Sequence, residues 1–132
     1  MKQYKAAVIG AGSIAKVHLR IMSQNVRTEL AAVADVQMER AEQLAEQYSI
    51  RAYANYQTMV TDERPDIVVI TLPHYLHKEA AIWCMEQGCH VLIEKPMALN
   101  ALECKEICAA GVKHGVFVAV GHMQHYFPAN LK

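Results

Sequence analysis

The sequence predicts a doubly wound α/β domain with a mostly parallel sheet, and three observations carry that prediction. Short runs rich in β-branched residues alternate with stretches of helical spacing along almost the whole chain. The runs are apolar on both sides, as strands must be when crossover helices cover both faces of a parallel sheet. The first run breaks directly into Gly10-x-Gly12-x-x-Ala15, a glycine turn that opens a helix.

The elements follow in order. Strands are expected near residues 5–9, 30–34, 66–71, 90–94 and 116–120, with a short run at Arg51–Tyr53 supplying an edge strand after the second helix. Between them, Met38, Ala41, Ala45 and Tyr48 line one helix face, and Leu76, Ala80, Ala81, Cys84 and Met85 line another. Cys104, Ile107, Cys108, Gly111 and Val112 form a third stripe, expected to be buried. Pro65 closes the connection into the third long strand, and Gly88 sits just past a helix end. Residues 121–132 break the rhythm: the segment is aromatic and polar and completes no further element.

Composition sets the outer bounds. At 132 residues the chain is long enough for one domain with its own core and too short for two ordinary ones. Its 13 basic and 13 acidic residues balance, so no basic field is expected to hold nucleic acid or an anionic membrane surface. No apolar run reaches the length of a membrane span, and the N-terminus lacks a signal-peptide core, which points to the cytoplasm. Cys84, Cys89, Cys104 and Cys108 show no zinc-ligand spacing and fit reduced thiols. No metal is expected, although His74 and His77, like His122 and His125, are three apart.

The glycine turn points to a dinucleotide. Gly10 permits the tight turn, Gly12 lets backbone approach a pyrophosphate with no Cβ in the way, and Ala15 lets the helix pack close to the strand. The N-terminus of the helix that follows the turn offers its first N–H groups and a partial positive charge to the phosphates. Asp35 ends the second strand 20 residues after Ala15, where a carboxylate would accept the adenosine ribose hydroxyls. That carboxylate favours NAD, since it repels a 2′-phosphate. Arg40, one turn into the next helix, leaves NADP open.

Ligands of an open parallel sheet bind beyond the carboxyl ends of its strands. Thr71-Leu72-Pro73-His74 with His77, Glu94-Lys95-Pro96, and the tail that starts at Gly121 should gather there with the glycine turn. Lys95 stands out. Placed past a buried strand beside Glu94, it could touch a substrate hydroxyl and move its proton. On spacing alone the better reading is a lysine snorkelling to the surface at a strand end.

Together, Gly10-x-Gly12-x-x-Ala15 with His18, Asp35, Pro73-x-x-x-His77 and above all Glu94-Lys95-Pro96 resemble the Gfo/Idh/MocA oxidoreductases. The resemblance implies that residues 1–121 form an NAD(P)-binding Rossmann domain and that 122–132 begin the connection to a second α/β domain carrying most substrate contacts. It implies Lys95 as the catalytic lysine, and cofactor contacts from Gly10, Gly12, Ser13, Ile14, Ala15, Asp35, Thr71, Leu72, Pro73, His74, His77, Glu94, Lys95 and Pro96. The implied reaction passes hydride between nicotinamide and a carbinol carbon of a sugar, cyclitol or related polyol. This chain by itself would then bind cofactor and turn over little. Two alternatives stand beside that reading: an NAD-dependent glycoside hydrolase using transient oxidation, and a non-catalytic dinucleotide-binding module. The family usually forms homo-oligomers through its second domain, which leaves the assembly of this chain open. His74 stands where the family often has asparagine, and His125 where arginine is usual.

Overall fold

The computed structural model describes residues 2–95 and 97–120. In chain order its elements are β1 (Tyr4–Ile9), α1 (Ser13–Gln24), β2 (Thr28–Ala34), α2 (Met38–Tyr48), β3 (Arg51–Tyr53), α3 (Tyr56–Glu63), β4 (Ile67–Ile70), α4 (His77–Glu86), β5 (His90–Ile93), α5 (Ala101–His114) and β6 (Val118–Val120), with a single 3-10 turn at His74–Leu76 before α4. The six strands are all parallel, in the order β3-β2-β1-β4-β5-β6. The expected strands are present with ends shifted by one or two residues, and Arg51–Tyr53 is the edge strand. Residues 121–132 and Pro96 lie outside the described residues.

Alternation along each strand divides the core between two faces. Ala6, Val8, Val33, Val69 and Leu92 point to the side covered by α1 and α2, where they meet Ala15, Leu19, Met22, Ala41 and Leu44. Ala7, Ile9, Ala34, Val68, Ile70 and Ile93 point to the side covered by α3, α4 and α5. All four residues of β4 are buried, which explains why its sequence is an unbroken Ile-Val-Val-Ile run. Each such large side chain contributes roughly 1.5–3 kcal/mol by leaving water.

Two local findings go beyond the periodicity. α3 is only two turns long and shows little amphipathic pattern; Asn55 starts it by accepting the Thr58 N–H on its side chain at 2.9 Å. The α5 stripe is half right. Ile107 and Gly111 are buried, but Cys104 is half-buried, Cys108 is exposed and Val112 is 85% exposed. The reason is position: α5 lies over the last two strands at the sheet edge and packs along one narrow side against α4 and β6. Cys84 and Cys89 are buried, and burial pushes both thiols up, Cys89 to about 11, which keeps them protonated.

A charged cluster ties β1, β3 and α3 together. The buried Glu63 carboxylate accepts the Tyr53 hydroxyl at 2.6 Å and pairs with Lys5 at 3.2 Å and Arg51 at 3.4 Å. Burial pushes the Glu63 carboxyl up, but the Tyr53 hydroxyl and the two cations outweigh it and hold it below its ordinary 4.5. A depressed pKa contributes stability above the unfolded-state value, and that stability is lost as pH falls through the folded one. Glu63→Gln is therefore expected to cost roughly 1–3 kcal/mol in urea unfolding at neutral pH. The gap to the native chain should shrink below pH 4.5, as Glu63 itself becomes protonated; a gap that ignores pH would refute the ionic role.

Candidate functional site

Strand β1 is the topological switch point. The chain winds from β1 through β2 to β3 on one side, then crosses to β4 on the other, leaving a crevice at the carboxyl ends of β1 and β4. Sheet-like hydrogen bonds run on past the strand ends and lock the loops there. The Gly10 N–H donates to the Ala34 carbonyl (2.7 Å), Asp35 to Tyr53 (3.0 Å), Thr71 to Ile9 (2.9 Å) and Glu94 to Ile70 (3.2 Å). These bonds set Asp35, the glycine turn, Thr71 and Glu94 side by side along one edge, in the order of the strands that carry them.

The two glycines of the turn differ physically. Gly10 has φ +101°, and a Cβ there would lie 2.7 Å from Thr71 Oγ1 and 3.2 Å from the Thr71 carbonyl. The Thr71 hydroxyl fills that space, 3.0 and 3.1 Å from the carbonyl oxygens of Ile9 and Gly10. Gly12 has ordinary extended backbone, φ −89°, and a Cβ there would meet nothing within 4 Å. Among the described residues nothing requires glycine at position 12; a ligand over the turn would. Gly12 also caps α1 without a side-chain hydrogen bond, and α1 carries no acidic residue in its first turn. Ser13 and Ile14 are exposed there, while Ala15 is fully buried against the sheet.

Asp35 joins the turn to the end of β2. One carboxylate oxygen accepts the Ala11 N–H and the other the Gln37 N–H, each at 2.8 Å. Each oxygen keeps lone-pair capacity for further donors. Beside it lies a narrow, mostly apolar slot of about 120 Å³, walled by Ile9, Val36, Ala54, Tyr56 and Leu72 with Asp35 at its rim. A second, polar groove on the other side of the turn is lined by Gly12, Ser13, Lys16, Arg40 and Gln43. A dinucleotide fits these features: a flat base in the slot, ribose hydroxyls at Asp35 and phosphates over Gly12.

At the other end, Pro73 and His74 are exposed at the mouth and Lys95 is exposed at the end of β5. His77 lies beneath them rather than beside them: it is 1% exposed, with Nε2 2.7 Å from the Leu72 carbonyl and Nδ1 3.1 Å from that of Met97. His74 and His77 thus form no pair open to an ion, and no group of three metal-ligating side chains occurs among the described residues. Glu94 is half-buried and reaches His18 Nε2 at 2.9 Å, across 76 residues of sequence. Spacing alone gives no hint of that pair, nor of Val36 and Tyr56 in the slot.

Strand order, switch-point crevice and glycine turn define a dinucleotide-binding Rossmann domain. The particular family follows from comparison: the model of the oxidoreductase family with the NAD-binding Rossmann fold, Gfo/Idh/MocA, matches residues 4–122, and the chain belongs to it. It is 34% identical over 125 residues to trans-1,2-dihydrobenzene-1,2-diol dehydrogenase of Mus musculus, covering 92% of this chain and 38% of that protein. It is 32% identical over 126 residues to inositol 2-dehydrogenase of Salmonella typhimurium, covering 92% of this chain and 38% of that protein. Among solved structures it resembles GenD2 from gentamicin A biosynthesis in complex with NAD, with TM-score 0.90 and 26% identity over 97% of this chain and 37% of that one. The WlbA dehydrogenase of Chromobacterium violaceum, in complex with NADH and UDP-GlcNAcA, gives TM-score 0.88 and 30% identity over 98% and 37%. The chain thus spans less than two fifths of the length of these relatives. Among the described residues, no helix is long and apolar enough to cross a membrane.

Proposed function

We propose that the chain is the cofactor-binding part of an oxidoreductase that moves hydride between nicotinamide and a hydroxyl-bearing carbon of a sugar, cyclitol or related polyol. The observation that carries this reading is Asp35. Its carboxylate is anchored to the glycine turn and faces the crevice beside the apolar slot. In this reading the slot takes the adenine, Asp35 the ribose hydroxyls, and Gly12 with the N–H groups of Ser13 and Ile14 the pyrophosphate. Leu72 walls the adenine slot, and Pro73, with His74 and Glu94, borders the nicotinamide half. Gly10, Ala15, Thr71 and His77 act by shaping the backbone around it.

The bound nicotinamide supplies the hydride chemistry, and the protein supplies orientation and proton handling. Lys95 is the catalytic residue in this scheme. Its exposed amine, at the carboxyl end of β5, binds the reacting hydroxyl and holds or moves its proton at Nζ. Likeness to sugar and inositol dehydrogenases supports a polyol substrate. The reduced thiols and balanced charge suit a cytoplasmic protein with no nucleic-acid or membrane partner. Most substrate contacts, and any homo-oligomer interface, belong to a second domain, so this chain alone binds dinucleotide with little turnover.

A fluorescence titration of the chain with NADH and with NADPH tests the reading. Saturable binding with NADH preferred is expected, because the Asp35 carboxylate repels a 2′-phosphate. Arg40, in the groove beside the turn, keeps NADPH binding measurable. Binding of neither by a folded chain, verified by circular dichroism, would refute it.

A further inference from the structure

We propose that His77 and His18 are positioning residues for Lys95, an inference that rests on Lys95 as the proton-handling group. Lys95 is exposed and carries a flexible stem, so the reach of its amine depends on where its backbone is held. Two buried rings, each 1% exposed, grip the chain on either side of it. From the α1 face of the sheet, His18 Nε2 meets the Glu94 carboxylate at 2.9 Å, one residue before Lys95. From the α4 face, His77 Nδ1 meets the Met97 carbonyl at 3.1 Å, two residues after it.

His77 does a second thing at once. Its Nε2 stands 2.7 Å from the Leu72 carbonyl, so one ring spans the loop after β4 and the segment after β5. Carbonyl oxygens only accept, and a neutral imidazole carries a single N–H, so the ring donates to one of them, or to both when protonated. Leu72 also walls the apolar slot. The ring therefore couples the wall of the base slot to the placement of Lys95. A histidine serving the core alone would have no reason to hold two loops of the cleft.

The test separates positioning from folding by reading Lys95 itself. The chain is treated with an amine-acylating reagent, with and without NADH, and modification of Lys95 is followed by peptide mass spectrometry. With NADH at about ten times its Kd, labelling of the native chain should slow by about tenfold, the fraction left unliganded. His77→Asn keeps a donor in the Nδ1 position, towards Met97, whereas His77→Gln reaches only towards Leu72. The Asn variant should retain the slowing and the Gln variant should lose most of it. At Glu94, His18→Gln should retain it and His18→Leu should lose it.

The NADH dissociation constant is measured for each variant and labelling is compared at the same multiple of that variant's own value, so that a weaker cofactor site does not pass for a displaced Lys95. A purely structural histidine would lower the melting temperature of His77→Asn and His77→Gln alike without splitting their Lys95 labelling. Equal slowing in those two overturns the positioning role, and that comparison decides even where His18→Leu fails to fold. No slowing in the native chain at saturating NADH overturns the Lys95 reading instead.

Discussion

Gly10→Ala is expected to destabilise the domain by about 2–6 kcal/mol, the sum of backbone strain and overpacking. At φ +101° a side chain is strained whatever the space, and the space is already taken by Thr71 Oγ1 at 2.7 Å and the Thr71 carbonyl at 3.2 Å. Thr71 cannot yield cheaply. Its N–H is committed to the Ile9 carbonyl and its hydroxyl lies between that same carbonyl and the Gly10 carbonyl, so moving it separates β1 from β4 at the mouth of the crevice. NADH binding should disappear with the turn. Gly12→Ala is the control, because among the described residues its Cβ meets nothing within 4 Å. It should melt like the native chain and yet bind NADH about 10- to 100-fold more weakly, an overpacking penalty of 1–3 kcal/mol that only a ligand over the turn can exact. Thermal melts and NADH titrations of both variants check this together. A Gly12→Ala chain that binds normally would place the phosphates elsewhere.

Asp35→Ala carries the second large effect. Charge-assisted hydrogen bonds are worth about 1.5–3 kcal/mol each, and the carboxylate would accept two from the adenosine ribose. The NADH dissociation constant should rise by about 30- to 1000-fold, for a net loss of about 2–4 kcal/mol. NADPH should lose far less, because the same substitution removes the charge that repels its 2′-phosphate, and the preference should invert. Part of the loss could come from the turn itself, since Asp35 also holds the Ala11 N–H at 2.8 Å. Asp35→Asn separates the two contributions. Its amide oxygen can still accept from Ala11, so a restored turn with weak NADH binding assigns the remainder to the ribose. Unchanged NADH affinity in Asp35→Ala would remove Asp35 from the site.

How much of this was legible in the residues varies from one element to the next. The glycine turn, Asp35, and Thr71 and Glu94 just past their strands were all readable, because each belongs to a pattern contained in one short stretch. α3 was not, since two turns with three buried residues leave little periodicity to see. The α5 stripe misled in part, because amphipathic spacing shows which residues share a face but not how much of that face finds a neighbour. At the edge of the sheet, Val112 finds little cover.

The sequence by itself determined the α/β class, the order of the strands and of every helix but α3, and the places where the glycine turn and an acid one strand further on stand. Those are local properties: strand and helix periods, a positive-φ glycine and an acid one strand further on. Only the tertiary structure decided which side chains from distant elements meet. The Glu63 cluster, the Asp35 grip on Ala11, the His18–Glu94 pair and the His77 bridge to Leu72 and Met97 join different elements of the fold. No spacing rule encodes them, because parallel strands bring distant loops to one edge through crossovers. Partners there are chosen by strand order, not by separation along the chain.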